Sequence, residues 1–138
     1  MKCVAELINM KIEAEREWER NKILAEKQLI TDTFDFCENV IGPKLESLAK
    51  ERKQIVATFE FGIGYDVYNN LILSPLKKDK CTYANGTASW SRDTSICCSE
   101  KFFEEYLTQH CFKVEWLEDW YMSYGCGSLK SVVLKVSI

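Results

Sequence analysis

The chain has 138 residues, of which 46% are apolar and 28% are charged, and its formal net charge is −3 at pH 7. These values predict one domain with a real core, and the mildly acidic balance argues against a protein that binds nucleic acid by neutralising phosphates. No apolar run approaches the roughly 18 residues of a membrane span, so we expect no membrane binding. The seven cysteines are an odd number and follow an N-terminus without signal-peptide character, which predicts free thiols in a cytoplasmic, reducing compartment.

The N-terminal part of the chain predicts a helical arm. Apolar residues follow a loose helical period from Val4 to Leu48, but this stripe thins where charges alternate between Glu13 and Arg20. A continuous helix from Val4 to Val40 would be about 55 Å long, whereas a globule of this size has a radius of gyration of about 14 Å. The stripe, with Trp18 at its charged centre, therefore predicts an interface with a partner or with a second copy of the chain.

Two groups of residues predict interruptions of this arm. Thr31-Asp32-Thr33 consists of good N-cap residues that are poor in helix interiors, and Gly42-Pro43 disfavours a continuous helix. A break at the first group would shorten the leading helix to about 40 Å. A sheet domain can cover much of a helix of that length. We predict three helices: one from Val4 to about Ile30, a second from there to about Ile41, and a third from Pro43 to Lys53. The first two are either separate or continuous with each other.

The pattern then changes to the two-residue period of strands. The first predicted strand has a strongly apolar face made of Ile55, Ala57, Phe59 and Phe61. Gly62 and Gly64 are predicted to end this strand. The segment from Tyr65 to Leu73 fits either a strand or a short helix, and Ser74-Pro75 is predicted to close it.

Asn85-Gly86 is the sharpest local turn signal in the chain. It is the preferred pair for a two-residue type I′ hairpin turn. Pairing outward from this turn places Cys81 opposite Trp90. One half-buried face of the hairpin would then carry Cys81, Tyr83, Ala88 and Trp90.

A helix and two strands complete the pattern. Ser99 is placed to cap a helix that runs to about His110, with an apolar side made of Phe102, Phe103, Tyr106 and Leu107. A strand follows with alternating Phe112, Val114 and Trp116. The last predicted strand has an inner face of Val132, Leu134, Val136 and Ile138 and an outer face of Ser131, Lys135 and Ser137.

These elements predict an α+β fold, with a long N-terminal helical arm followed by a mostly antiparallel sheet and one covering helix. We assign residues 1–53 to the helical arm and residues 54–138 to the α+β sheet domain, and we expect the two to form one structural unit.

Catalytic and metal-binding chemistry has little support in the sequence. The single histidine, His110, directly precedes Cys111, but neighbouring helical residues point about 100° apart. Cys97, Cys98 or Cys126 can approach His110 only through the fold, and no nucleophile motif surrounds them. The cysteines also lack the two-residue spacing of zinc ligands. We therefore predict no enzyme and no catalytic, cofactor-binding or metal-binding residue, and a small thiol-dependent enzyme is the last alternative.

Two regions carry residues typical of protein interfaces. The segment from Glu100 to Asp119 is strongly acidic, and the aromatic residues that follow it resemble interface hot spots. The alternatives are a solvated acidic face and aromatic residues that complete the core. With the tryptophan of the arm, the candidate partner-binding residues are Trp18, Glu104, Glu105, Glu115, Glu118, Asp119, Trp120, Tyr121 and Tyr124.

The C-terminal third also resembles a known type of protein. It reads Phe102-Phe103-Glu104-Glu105-Tyr106-Leu107, then Cys111-Phe112-Lys113-Val114-Glu115, then Ser131 to Ile138. This order is similar to the ending of many small phage- or prophage-encoded α+β proteins, which usually have glycine where Cys111 stands. The resemblance implies a mobile-element origin and stoichiometric binding to a host protein, without catalytic residues.

We therefore expect a non-enzymatic protein-binding protein, in the form of a phage- or mobile-element-encoded modulator or inhibitor of a host protein. The main alternative is a self-assembling structural protein, for example a homodimer, that oligomerises through the N-terminal helix.

Overall fold

A computed structural model of the protein describes the backbone of residues 1–79, 89–123 and 127–138, with side chains for residues 1–77, 91–118 and 130–138. The predicted α+β fold is confirmed: a long N-terminal helix precedes a five-stranded antiparallel sheet of order β3-β2-β1-β5-β4, on which one short helix packs. The elements are α1 (Val4–Phe36), a π-helical turn (Cys37–Ile41), α2 (Gly42–Lys50), β1 (Val56–Tyr65), β2 (Leu71–Asp79), β3 (Ser89–Arg92), α3 (Glu100–Gln109), β4 (Lys113–Ser123) and β5 (Gly127–Ser137).

Helix α1 runs without interruption through Thr31-Asp32-Thr33, so of the two predicted alternatives the continuous helix is correct and the break is not. The carboxylate of Asp32 accepts the backbone N–H of Cys97 at 3.0 Å, and the hydroxyl of Thr33 accepts the backbone N–H of Ser99 at 2.9 Å. These side chains are poor in helix interiors because they compete for nearby backbone groups. Here they bond to the loop before α3 instead, so tertiary contacts keep them inside the helix.

The second predicted break, at Gly42-Pro43, is also absent. The helix widens by one π-helical turn, in which the backbone N–H of Gly42 donates to the carbonyl of Cys37, five residues back. Pro43 then falls in the first turn of α2, where its missing N–H is tolerated. Helix α2 ends at Lys50 rather than Lys53, because Arg52 adopts a left-handed conformation with φ of 58°.

Strand β1 continues through both of its glycines, contrary to the sequence prediction. The side chain of Arg92, on β3, crosses this part of the sheet. A Cβ at Gly62 would collide with the aliphatic part of Arg92, and one at Gly64 would collide with its guanidinium. The glycines therefore provide space for a side chain from another strand instead of ending their own.

Strand β2 also continues through its predicted stop at Ser74-Pro75. The carbonyl of Pro75 accepts the backbone N–H of Asp93 at 2.8 Å, so the proline nitrogen points to the same side, away from β1. Because proline has no N–H, the hydrogen bond that it cannot make falls on the β3 side, where the β2–β3 ladder begins, and the β1–β2 ladder stays intact. The ambiguous segment from Tyr65 to Leu73 contains no helix: its ends belong to β1 and β2. Between them lies a turn at residues 66–70, in which Asp66 accepts the N–H groups of Tyr68 and Asn70 at 2.9 and 2.8 Å.

The predicted Asn85-Gly86 turn lies outside the described residues. At its base, however, Trp90 pairs with Lys78 rather than with Cys81, so the register that we derived from a two-residue turn is wrong.

The core lies between the sheet and the helices. Phe61, Phe103 and Leu134 are fully buried, and Phe36 of α1 packs against both Phe61 and Phe103 with ring centroids 5.1 and 5.8 Å apart. The predicted helix after Ser99 is confirmed, with Phe103 and Leu107 buried. Two expectations for β5 are wrong: Ile138 is exposed although we placed it inside, and Ser131 is buried although we placed it outside.

Candidate interaction surfaces

The first half of α1 projects from the domain. All residues from 1 to 24 are exposed, and the first buried side chain of the helix is Leu29. We call residues 4–24 the projecting arm, which is about 30 Å long at 1.5 Å per residue. The domain buries side chains only in the part of α1 that follows the arm.

Trp18 lies inside the projecting arm and makes a contact with the domain. Its ring packs edge-on against Tyr68, in the β1–β2 turn, with centroids 5.2 Å apart, and the ammonium of Lys22 lies 5.3 Å from its centroid. Even so, 47% of the Trp18 surface is exposed. One edge of the indole therefore rests on the domain, and the rest is available to a partner.

One face of the arm is apolar and uncovered. Residues 4, 7, 11, 14 and 18 alternate steps of three and four, which places them along one side of a helix. Four of them are apolar: Val4, Leu7, Ala14 and Trp18. Leu7 is 53% exposed and Val4 is 72% exposed. After the exposed polar residues Asn21 and Lys22, this side continues with Ala25 and Leu29, where the helix meets the domain.

The acidic candidates do not form one patch. Glu104 and Glu105 are exposed on α3, and the Trp116 indole N–H donates to the Glu104 carboxylate at 2.9 Å. Because side chains alternate along a strand, Glu118 lies on the same side of β4 as Trp116, whereas Glu115 lies on the opposite side. There Glu115 pairs with Lys135 at 3.4 Å. The sheet therefore separates Glu115 from Glu104, Glu105 and Glu118.

The aromatic candidates are placed only in part. Asp119, Trp120 and Tyr121 lie within β4, which extends beyond the strand that we predicted around Phe112, Val114 and Trp116. Their side chains, and the whole of Tyr124, lie outside the described residues. The sequence pattern missed this extension because the strand continues well past the alternation of Val114 and Trp116.

Among the residues that the structure describes, the thiols and the histidine are not assembled into a catalytic group, and the candidate Cys126 lies outside those residues. Burial, followed by the nearby charge of Glu38, raises the pKa of the Cys37 thiol to about 12. Burial likewise raises the pKa of Cys98 to about 12. Cys98 lies before α3 and His110 after it, about 15 Å apart along the helix. The ring of His110 instead stacks on that of Tyr106, with centroids 4.4 Å apart.

Within the described ranges, no group of three or more His, Cys, Asp or Glu residues is placed to hold a metal ion. Over the same residues, no helix has the length and apolar character needed to cross a bilayer.

Sequence reasoning missed the contacts of Asp32 and Thr33, which join α1 to the loop before α3. The available signal was a helix-poor polar triplet inside a long helical pattern, which we interpreted as a cap. Such a triplet also fits a side-chain contact to a neighbouring element, and sequence alone does not distinguish the two.

The fold and these surfaces define an α+β domain with a projecting amphipathic arm. Comparison with protein-family models, with curated proteins and with solved structures finds no match.

Proposed function

We propose that this protein is a non-enzymatic binding protein that docks on another protein chain through its projecting arm. The observation that carries the proposal is the exposure of Leu7 and Val4 on a helix face that is buried only farther along. A helix normally buries its apolar face against another element, and the domain leaves this part of the face uncovered.

The chemistry of the arm supports a protein partner over a membrane or nucleic acid. The apolar face is flanked by a mixed charge cluster in which Glu13, Glu15, Glu17 and Glu19 alternate with Arg16 and Arg20. Helices that lie on anionic membranes or on phosphates are strongly basic on their polar face, and this one is not. An apolar seam with charges of both signs beside it is typical of helix–helix contacts.

The acidic and aromatic region of β4 is a secondary contact in this proposal. Glu118 and the exposed Glu105 lie on the side of the sheet that carries α3. Regulation of a host protein, as the resemblance of the C-terminal third implies, would follow from such binding. The described cysteines are all free thiols, which supports a reducing compartment for the protein.

A matched pair of substitutions tests the proposal. Leu7→Asp places a charge on the apolar face, and Asn9→Asp places the same charge on the opposite side of the helix, about 200° away. Each variant and the unaltered chain are purified under native conditions from the cells that carry the gene, and every copurifying polypeptide, including an untagged second copy of the chain, is quantified by mass spectrometry.

We expect a stoichiometric partner that is retained by Asn9→Asp and lost by Leu7→Asp. Both variants should keep a folded domain with a cooperative unfolding transition, because Leu7 is exposed outside the core. Equal recovery of every partner with both variants would overturn the proposal.

A further inference from the structure

Two observations on the arm suggest which chain covers its apolar face. Lys11 lies in the middle of that face, and Glu15 lies one turn further along beside it. Within the part of the chain that the structure describes, neither residue is in an ion pair. A partner that places a negative group opposite Lys11 and a positive group opposite Glu15, together with apolar groups on both sides, would therefore complement this face.

A second copy of the same arm meets these needs. We infer that the projecting arms of two chains pair in antiparallel orientation, centred between Ile12 and Glu13, to form a homodimer. This inference rests on the proposed function and names the partner of the arm. In this arrangement Leu7 of each chain lies opposite Trp18 of the second copy, so the exposed part of the indole is covered by a leucine side chain.

The charges then pair across the centre of the contact. Lys11 lies opposite Ala14 of the second copy, with Glu15 of that copy one residue further, and the two-fold symmetry repeats the contact. The small Ala14 leaves room for the aliphatic stem of the lysine. Residues 1–30 contain six acidic and six basic side chains, so two arms do not repel each other through net charge.

A parallel pair in register is disfavoured by the same residues. It would place Lys11 beside Lys11 and Trp18 beside Trp18 of the second copy. Like charges at facing positions of paired helices are destabilising. The antiparallel orientation replaces both contacts with complementary ones.

The oligomeric state of the full chain is the first test. Multi-angle light scattering and sedimentation equilibrium should give twice the chain mass of 16.0 kDa. Leu7→Asp should weaken dimerisation at least tenfold, and Asn9→Asp should leave it unchanged. A monomer at all concentrations up to the millimolar range would overturn the inference.

Charge exchange tests the orientation. In the antiparallel pair the substitution Lys11→Glu places a second carboxylate beside Glu15 at both symmetry-related contacts, so the dissociation constant should rise about fivefold or more. The double variant Lys11→Glu/Glu15→Lys restores opposite charges and should recover the original affinity. In a parallel pair, Lys11→Glu replaces one like-charge contact with another, and an unchanged dissociation constant would contradict the antiparallel arrangement.

A cross-linking experiment determines directly whether the two arms are antiparallel or parallel. Cys3 and Leu24 lie on the same flank of the face at opposite ends of the arm, and both are exposed. With Cys111→Ser as background, the chain carrying Leu24→Cys is treated with a short bis-maleimide, and the linked peptides are identified by mass spectrometry. We expect links between Cys3 and position 24 of the second copy, whereas Cys3–Cys3 links would indicate a parallel pair and overturn the inference.

Failure of the inference and failure of the proposed function give different results. If the purified chain is monomeric but a foreign partner still copurifies in a Leu7-dependent manner, the inference is wrong and the proposed function stands. If Leu7→Asp changes neither the mass nor any copurifying partner, the arm is not a docking element and both fail.

Discussion

The hydroxyl of Thr33, buried inside α1, accepts the backbone N–H of Ser99 at 2.9 Å and donates to the carbonyl of Leu29 at 2.6 Å. One side chain thus holds the start of α3 against the last turn of α1. This relationship joins elements that are 66 residues apart in the chain, and it makes the second half of α1 part of the domain.

The Thr33–Ser99 contact predicts a specific loss of stability. Thr33→Val keeps the shape of the side chain but leaves the Ser99 N–H without its acceptor, which should lower the free energy of unfolding by about 1–3 kcal/mol. Urea denaturation followed by circular dichroism measures the change. Thr31→Val is the control: Thr31 also bonds to a carbonyl of its own helix but is exposed, so that substitution should have an effect within about 0.5 kcal/mol. Equal losses at the two positions would show that the tertiary hydrogen bond contributes nothing.

Two phenylalanines of α1 should differ sharply in their contribution. Phe36 packs against Phe59, Phe61 and Phe103, so Phe36→Ala should lower the free energy of unfolding by about 3 kcal/mol or more. Phe34 is 36% exposed and contacts only the ring of Tyr106 among described aromatic partners, so Phe34→Ala should lower it by about 1 kcal/mol. Thermal and urea unfolding of the two variants test this difference, and similar values would contradict the assignment of Phe36 to the core.

Cys111 occupies a backbone position that favours glycine. Its φ is 66°, and α3 ends in a motif in which Cys111 donates to Thr108 and Phe112 donates to Leu107, both at 3.0 Å. Cys111→Gly should therefore raise the free energy of unfolding by about 0.5–1 kcal/mol, because glycine adopts a left-handed conformation without strain.

The control for this prediction is Cys111→Ala, which keeps the Cβ and should give no gain. Chemical denaturation of both variants distinguishes relief of backbone strain from simple removal of an exposed thiol. A gain of the same size in alanine would refute the conformational explanation.

The two glycines of β1 should tolerate alanine unequally. At Gly62 a Cβ meets the stem of Arg92 and approaches the Leu76 side chain to 3.1 Å, so Gly62→Ala should cost about 1–3 kcal/mol. At Gly64 a Cβ meets only the guanidinium end, which can swing away, so Gly64→Ala should cost less. Combining Gly62→Ala with Arg92→Ala should recover part of the loss, and strictly additive effects in this double-mutant cycle would exclude the clash.

The buried thiols should be unreactive in the folded protein. The pKa of Cys37 and of Cys98 is raised to about 12 from an ordinary value of 9.0, in both cases mainly by burial. Iodoacetamide at pH 8 should modify the exposed Cys3 and Cys111 first, and peptide mapping should find Cys37 and Cys98 modified only after unfolding. Modification of Cys98 at the rate of Cys3 would contradict this prediction.

The same shifts determine the sign of a pH effect on stability. Above pH 9 these two thiols lose protons in the unfolded chain but keep them in the folded protein. The unfolded state therefore binds fewer protons there, and the free energy of unfolding should fall as the pH rises from 9 toward 12. Urea titrations at pH 8 and pH 10 measure this decrease, and equal unfolding midpoints at the two pH values would contradict it.

The sequence by itself determined the fold class, the helical arm, the strand faces around Phe61 and Leu134, and the helix after Ser99. Each depends on a local period of apolar residues, which shows which face of an element must leave water. The apolar face of the arm can also be recognised from the sequence, because Val4, Leu7 and Trp18 lie at helical spacing whether or not another element covers them.

Only the tertiary structure decided where the elements continue. Four local stop signals, at Thr33, Pro43, Gly62 and Pro75, lie inside an element instead of ending it. In each case a group elsewhere in the fold supplies a hydrogen-bond partner, or the local geometry removes the conflict. Ser99 accounts for Thr33, the π-helical turn for Pro43, Arg92 for Gly62 and Asp93 for Pro75. Stop signals reflect the cost of an unsatisfied or crowded group, and that cost disappears when the fold supplies a partner or leaves the necessary space.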